Sequence, residues 1–340
     1  MRIGQIGFGY WGPNLLRNMQ SVARARVVAV ADLDEQRLAE VAHKATSADV
    51  TRDYRELVSR PDIDAVVIAT PVASHGELAY AALSAGKHVL VEKPLATTVE
   101  DGARLITLAH RKGRILMVGH TFLYSVAVRC LKQYVEHGDL GEVFYLYSQR
   151  LNLGRVCADV NTLWNSAPHD VSILLYLLGQ MPVEVAARGF SYLRDDAEDV
   201  VFMTLTFPHN VGAHVHMSWL DPHKVRRMTV VGSQKMAVYD DGNRDCPIVI
   251  YDRGVERVVA EDVRRDPSSL AQVHWRLRSG GVTIPALTLA EPLRLECEHF
   301  VECIIEGKRP LTDGQQGLDV VRVLAAAQHS LSKRGAPVAI

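Results

Sequence analysis

The chain has 340 residues, 48% of them apolar and 23% charged, with a formal net charge of −1. That length suggests two domains with sizeable interiors, and the near-neutral balance supplies no field to draw nucleic acid, a polyanion or a membrane surface. No apolar run reaches the roughly 18 residues of a bilayer span, and five scattered cysteines (Cys130, Cys157, Cys246, Cys297, Cys303) without CxxC spacing read as reduced thiols of a cytoplasmic protein, not as a disulfide frame or a metal site.

A strand pattern begins within two residues of Met1, which leaves no room for a signal peptide. The candidate strand Arg2–Ile6 runs into Gly7-Phe8-Gly9-Tyr10-Trp11-Gly12, a G-x-G-x-x-G sequence. In such a turn Gly7 permits the tight bend, Gly9 lets the backbone approach a pyrophosphate, and Gly12 lets helix and strand pack closely. The helix that starts there offers free N–H groups and a positive dipole end to the phosphates. Asp32 stands twenty residues past Gly12, at the end of the second strand, Arg26–Ala31. A carboxylate there accepts the hydroxyls of an adenine ribose and repels a 2′-phosphate. Arg37 arrives one helical turn later, so NAD is favoured and NADP is not excluded. A glycine-rich turn without a ligand is the bland alternative, and the strand-turn-helix context weighs against it.

Further strands are expected at Ala65–Ala69, His88–Glu92 and Ile115–Val118. Ser74 with Glu77 reads as a capping box for a helix that stops at Gly86, and Thr98 caps another that stops at Gly113. Strands alternating with helices build right-handed βαβ crossovers and a parallel sheet. Residues 1–121 are therefore read as an α/β dinucleotide-binding domain of the Rossmann type.

After the fourth strand comes Val91-Glu92-Lys93-Pro94. Ligands of doubly wound sheets sit beyond the carboxyl ends of the strands, which puts Lys93 at the cofactor cleft. The X-Pro bond accepts a cis form at modest cost. A free lysine titrates near ~10.4, and burial beside a cationic nicotinamide lowers that value, so the amine can exchange the proton of a hydroxyl. Taken alone, the tetrad fits an exposed strand-end lysine equally well.

Beyond residue 121 the texture changes. The segment Trp164-Asn165-Ser166-Ala167-Pro168-His169-Asp170 leads into an apolar stripe of Val171, Leu174, Leu175 and Leu178, closed by Gly179. Ser166 reads as the N-cap with Pro168 in the first turn. That places His169 at the positive end of the helix, where its imidazole stays neutral and can relay a proton or bond a substrate hydroxyl. A histidine that merely satisfies the helix start is an equally open reading. Further on, Val201, Met203, Leu205 and Phe207, then Val211, Ala213, Val215 and Met217, alternate with more polar positions around a Pro208-His209-Asn210 turn, the period of antiparallel strands. His214 and His216 share the polar face, too few ligands for zinc. Lys224, Arg226 and Arg227 offer a contact for a substrate phosphate or carboxylate, but a solvated turn is the favoured reading, and the pair Arg264-Arg265 reads the same way. Residues 122–340 are thus expected to form an α+β domain around an open, mostly antiparallel sheet, with a tail helix over about 313–333 packing back on the first domain. Phe202 and Tyr239, read as outward-facing, suggest a homodimer or homotetramer through the sheet face.

Together these residues resemble the Gfo/Idh/MocA family of oxidoreductases, named for glucose–fructose oxidoreductase, inositol dehydrogenase and a rhizopine-catabolism protein. The resemblance covers nearly the whole chain: the opening glycine motif, Ala69-Thr70-Pro71 with His75, Glu92-Lys93-Pro94, the helix with His169, and Leu311-Thr312-Asp313-Gly314. Glu92-Lys93-Pro94 is its most specific element. Gly9-Tyr10-Trp11-Gly12, Gly119-His120-Thr121-Phe122, Ala167-Pro168-His169-Asp170 and Ser218-Trp219-Leu220-Asp221-Pro222 are most similar to a nucleotide-sugar branch of the UDP-N-acetylglucosaminuronate 3-dehydrogenase type. The resemblance implies hydride transfer between NAD and a carbinol or ketone of a sugar or nucleotide sugar, with Lys93 and His169 as catalytic residues. It implies cofactor contacts from Gly7, Gly9, Tyr10, Trp11, Gly12, Asp32, Thr70, Pro71, His75, Glu92 and Lys93, and substrate contacts from Lys93, His120, Tyr124, Asn165 and His169.

One position departs from the family pattern. Many relatives carry an aspartate where Asn165 stands, and an amide neither shares a proton nor stabilises an imidazolium as a carboxylate does. Lys93 is then expected to carry most of the acid–base work, with His169 orienting the hydroxyl. Two other readings stay open: an NAD-assisted glycoside hydrolase, and a non-catalytic NAD- and sugar-binding regulator.

Overall fold

The structure is a computed structural model that describes residues 1–44, 47–154, 156, 157, 159–259 and 273–340. The first part of the chain lays down strands β1 (Arg2–Ile6), β2 (Arg26–Ala31), β3 (Asp49–Thr51), β4 (Ala65–Ile68), β5 (His88–Glu92) and β6 (Leu116–Gly119). Between them run helices α1 (Gly12–Ser21), α2 (Glu35–Lys44), α3 (Tyr54–Ser59), α4 (His75–Ser84) and α5 (Val99–Lys112). Among the described residues the strands form one parallel sheet in the order β3-β2-β1-β4-β5-β6. Every residue of β4 is buried, because helices cover both faces of such a sheet. The strand order reverses between β1 and β4, and there the turns after β1, β4 and β5 open on one crevice.

Helix α5 ends as its local sequence dictates, and the start of α4 does not. The Thr98 hydroxyl accepts from the Asp101 N–H, and α5 closes on Gly113 in the left-handed conformation at φ +61°. The expected capping box at Ser74 does not form. A 3-10 turn at Val72–Ser74 already holds Ser74 in helical conformation. Its hydroxyl bonds Thr70 Oγ1 and the Pro71 carbonyl, and Glu77 accepts from the Tyr54 hydroxyl instead.

The second part adds α6 (Val126–Glu136), β7 (Val143–Leu151), α7 (Thr162–Leu178), β8 (Glu184–Phe190), β9 (Val200–Phe207), β10 (Val211–Ser218), β11 (Val225–Gly232), β12 (Met236–Asp240), β13 (Ile248–Val259) and β14 (Val273–Thr283). It ends with α8 (Pro292–Glu306), α9 (Gly314–Ser332) and β15 (Val338–Ala339). These strands form a second sheet, ordered β14-β13-β12-β11-β7-β10-β9-β8-β15. Its ladders are antiparallel except for β10 on β7. The α+β architecture expected of this half is the one observed.

One face of the second sheet packs under α6, α7 and α9, and the other is open. Val201, Met203, Leu205, Val215 and Met217 line the covered face. Phe202 stacks on His214 and His216, with ring centroids 6.4 and 4.4 Å away, on the open one. Tyr239 is a correction to the outward set: it is buried on the covered side, with its hydroxyl on Asp241, because the register of β12 against β11 turns odd-numbered positions inward. The pair Arg264-Arg265 lies outside the described residues.

Helix α9 connects the halves. Asp313 caps it by accepting from the Gln316 N–H. Leu318 and Val321 enter the core of the first sheet, while Val320, Val323 and Leu324 enter the core of the second. Each such buried side chain contributes roughly 1.5–3 kcal/mol, so this helix is a strong tie between them. No described helix is long and apolar enough to cross a membrane.

Candidate active site

The crevice is built first by the glycine turn. Gly7 has φ +94°, and a Cβ there would fall 2.5 Å from the Ala69 carbonyl oxygen. A Cβ on Gly12 would stand 2.7 Å from the Gly7 carbonyl oxygen, so β1, the turn and α1 touch backbone to backbone. Buried Gln5 locks the turn by donating to the carbonyls of Gly7 and Gly12. At Gly9 the space is open except for the Arg37 guanidinium, 3.5 Å from the position of a Cβ. Asp32 is pinned at the end of β2, accepting from the Phe8 N–H at 2.6 Å and the Asp34 N–H at 2.9 Å. Arg37 reaches Asp32 at 3.7 Å and Asp34 at 3.4 Å, so its charge is partly spent on these carboxylates. A glycine cradle with room for backbone approach to phosphates, and a fixed carboxylate one strand away, fit NAD. Tyr10 and Trp11 are exposed beside this turn.

At the end of β5 the Lys93–Pro94 peptide is cis. The Lys93 ammonium reaches across the crevice and donates to the Asn165 carbonyl of α7 at 2.7 Å. Burial pushes its pKa below the ordinary lysine value. Glu92 opposes that shift, and the charge on Arg150 adds to it. Glu92 is in turn pushed up to about 7 by burial, against the pull of the Lys93 charge. Its carboxyl fills the space that Gly119 leaves, where a Cβ would lie 3.1 Å away.

Helix α7 carries the other wall and corrects the expected start. Asn161, not Ser166, is the N-cap, accepting from the Trp164 N–H at 3.1 Å. The apolar face extends back through Leu163 and Ala167, so the helix gains burial by beginning a turn earlier and carries Pro168 inside it. His169 is therefore not in the first turn, and the helix dipole does not explain its neutral ring. Burial does so first, followed by the charges of Lys93 and Arg150, which together hold its pKa well below the usual range. The ring meets Phe122 edge-on, 5.0 Å between centroids, and its Nδ1 is buried without a partner. His120 is fully buried nearby and pushed down to about 3, again by burial first. The Asn165 side chain turns to the Cys157 sulfur at 3.0 Å, so what it offers Lys93 is backbone.

Two residues expected at the site lie elsewhere. Tyr124 is buried, its hydroxyl 3.2 Å from Thr312 Oγ1 and its ring against His299 of α8, because the 3-10 turn after β6 directs it into the core. His75 is 1% exposed, with its ring nitrogens 2.8 Å from the Pro94 carbonyl and 3.0 Å from that of Thr70. It braces the Thr70-Pro71 turn against the lysine turn.

Sequence reasoning also missed residues that the fold brings in. Arg150 on β7 donates to Asp170 of α7 from Nε at 2.5 Å and from Nη2 at 3.3 Å. Arg226, for which a solvated turn is favoured over a substrate contact in the sequence, leans over Phe122 and adds its charge at His169, whereas Arg227 on the opposite strand face pairs with Asp240. Glu296 of α8 is fully buried near Thr121, and burial first, then the neighbouring Glu92 charge, raises its pKa well above the usual carboxylate range. None of these sits in a motif, and only strand register and helix packing reveal them. At the start of α7 lies a cavity of about 470 Å³, lined among others by Val72, Thr97, Asp159, Trp164, Arg194, Asp196 and Glu198.

Comparison with known proteins agrees with this geometry. Residues 1–120 match an oxidoreductase family with an NAD-binding Rossmann fold, and residues 128–238 match the C-terminal domain of the same family. The chain is 36% identical over 218 residues to inositol 2-dehydrogenase 2 of Saccharopolyspora erythraea, a match spanning 62% of this chain and 64% of that enzyme, under two thirds of its length. It is 28% identical over 329 residues to UDP-N-acetylglucosamine 3-dehydrogenase of Acidithiobacillus ferrooxidans, spanning 96% of this chain and 95% of that one. Its fold is that of levoglucosan dehydrogenase in complex with NADH, with a TM-score of 0.83 at 23% identity, over 100% of this chain and 99% of the other. The chain belongs to the Gfo/Idh/MocA family of NAD-binding oxidoreductases.

Proposed function

We propose that the chain moves hydride between NAD and a carbinol or ketone carbon of a sugar or cyclitol, free or nucleotide-linked, with Lys93 handling the hydroxyl proton. The observation that carries this reading is the Lys93 amine itself. It stands beyond β5 in the crevice, 2.7 Å from an α7 carbonyl, with its charged form disfavoured by burial. An amine so placed takes the hydroxyl proton during oxidation and returns it during reduction. NAD, when bound, supplies the hydride acceptor. The neutral ring of His169 orients the hydroxyl through Nδ1, which has no protein partner. His120 closes the wall behind it.

The backbone of Gly7, Gly9 and Gly12 and the start of α1 receive the pyrophosphate, and Asp32 receives the adenine ribose. Tyr10 and Trp11 cover the cofactor, and Thr70, Pro71 and Glu92 line its path. The relatives named for inositol and for UDP-N-acetylglucosamine support a polyhydroxylated ring as substrate. The open sheet face, with Tyr145, Tyr147, Phe190 and Phe202 exposed, supports self-association. The test is NADH absorbance with a panel of inositols, aldoses and UDP-sugars. NADH formation by the native chain and its loss in Lys93→Met are expected. Unchanged turnover in Lys93→Met, or sugar release without net NADH, refutes the reading.

A further inference from the structure

Glu296 of α8 is 0% exposed, and among the described residues neither of its carboxyl oxygens has a hydrogen-bond partner. The fold explains how it comes to lie beside the lysine turn. Glu92 at the end of β5 pairs with Gly119 of β6, and the Glu92 carboxyl sits where that glycine leaves space. Two residues on, the 3-10 turn Thr121–Tyr124 begins, and α8 packs against it, with the Tyr124 and His299 rings 5.5 Å apart. Glu296 lies one helical turn before His299 and so arrives beside Thr121 and Glu92. Glu92 Oε2 accepts from the Lys93 N–H at 3.3 Å, whereas its Oε1 is buried without a partner.

Three carboxyl oxygens without partners thus share one dry pocket. Two carboxyls so placed do not both ionise, because burial and like charge each disfavour the second negative charge. A protonated carboxyl gains an O–H donor. One proton on Glu296 therefore supplies the donor that Glu92 Oε1 lacks. The other titratable groups around the pair stay neutral. Cys297 of α8 and Tyr124 are both held well above their ordinary range, by burial first and then by Glu296. The cation facing Glu92 is Lys93, on which Arg150, Cys157 and Asp159 also bear.

We infer that Glu296 is a positioning residue: it stands as a neutral carboxylic acid behind Glu92, stabilises the ionised form of Glu92, and so holds one negative charge against the Lys93 amine. That charge offsets the burial of the amine. With both carboxyls neutral the amine would not recover a proton, and with both ionised it would not release one. The consequence for turnover rests on the hydride-transfer reading of the cleft.

Two readouts test the pair without turnover. Infrared difference spectra of the cofactor-free protein, native minus Glu296→Gln, should show a carboxylic-acid carbonyl band at neutral pH. The pH midpoint of Lys93 is read from its rate of acetylation by acetic anhydride, followed by peptide mass spectrometry. Glu296→Leu removes the O–H donor, so Glu92 takes up the proton itself and its charge leaves the side of Lys93. The Lys93 midpoint should then fall by about one pH unit, which is about tenfold more neutral amine below it. Glu296→Gln keeps a neutral donor and should bring the midpoint back to the native value. The midpoint of kcat/KM for sugar oxidation should follow in each variant. A purely structural role would lower stability in both variants and move neither midpoint. Absence of the acid band, a Lys93 midpoint that Glu296→Leu leaves in place or raises, or one that Glu296→Gln shifts as far as Glu296→Leu overturns the inference. If Glu296→Leu does not fold, the band and the Glu296→Gln midpoint decide. Absence of NADH with every sugar, with the band and the acetylation shift intact, removes the hydride-transfer reading alone.

Discussion

Asp170→Asn keeps the shape of a buried ion-pair partner and removes its charge. Asp170 is 3% exposed, and its carboxylate takes Arg150 Nε at 2.5 Å, Arg150 Nη2 at 3.3 Å and the Ser148 hydroxyl at 2.6 Å. Only 11% of the Arg150 side chain and 4% of the Asp170 side chain are open, so water does not replace the lost partner. Breaking one side of a buried pair leaves an uncompensated charge and costs about 3–5 kcal/mol. Urea unfolding followed by tryptophan fluorescence should register a loss in that range, since Trp164 lies on the same helix. The double variant Arg150→Met with Asp170→Leu leaves no lone charge and should cost far less, within ~1 kcal/mol of the native protein. Equal losses in the two variants, or a loss below ~1 kcal/mol in Asp170→Asn, would refute the lone-charge reasoning.

The other expectations concern the cofactor turn, the lysine and the open face. Lys93→Met should lower turnover about 10²–10⁴-fold, the usual range for removing a general acid–base group. In the oxidative direction the reacting form is the neutral amine. Because burial lowers the Lys93 pKa, kcat/KM should rise with pH and level off below the ~10.4 of free lysine, and a midpoint above that value contradicts the assignment. Gly12→Ala forces a Cβ to 2.7 Å from the Gly7 carbonyl oxygen, so NAD affinity measured by fluorescence quenching should fall at least about tenfold. Asp32→Ala frees Arg37 from one of its two carboxylates and should raise the NADP-to-NAD ratio of kcat/KM by about tenfold, and an unchanged ratio would detach Asp32 from cofactor choice. Phe202→Glu on the open sheet face should lower the mass seen by light scattering, if that face joins two copies.

Much of the first sheet is legible in the sequence because its signals are local. Apolar runs mark β1, β2, β4 and β5 within a residue, and the Gly7-Gly9-Gly12 spacing marks the tight turn between β1 and α1. Strand β3 escapes notice, since its three residues are exposed or half-exposed and carry no apolar run. Helix α7 shows where local reasoning fails. Ser166 and Pro168 look like a helix start, yet burial of Leu163 and Ala167 extends the helix a turn backward. The neutral ring of His169 is thus right in outcome and wrong in cause. Tyr124, His75 and Tyr239 look like surface chemistry in a linear sequence, and only packing turns them inward. Arg226 errs in the other direction, because strand register, which the sequence does not display, brings it opposite Arg150.

The account stands or falls on whether hydride leaves a carbinol carbon in the Lys93 pocket. Perdeuterated inositols and aldoses, incubated with the native protein and NAD, allow the label to be followed by mass spectrometry of the nicotinamide product. A single deuterium should appear in NADH with the native chain and fall to background with Lys93→Met. NADH that forms without label, or label transfer undiminished in Lys93→Met, would contradict the proposed role of this cleft.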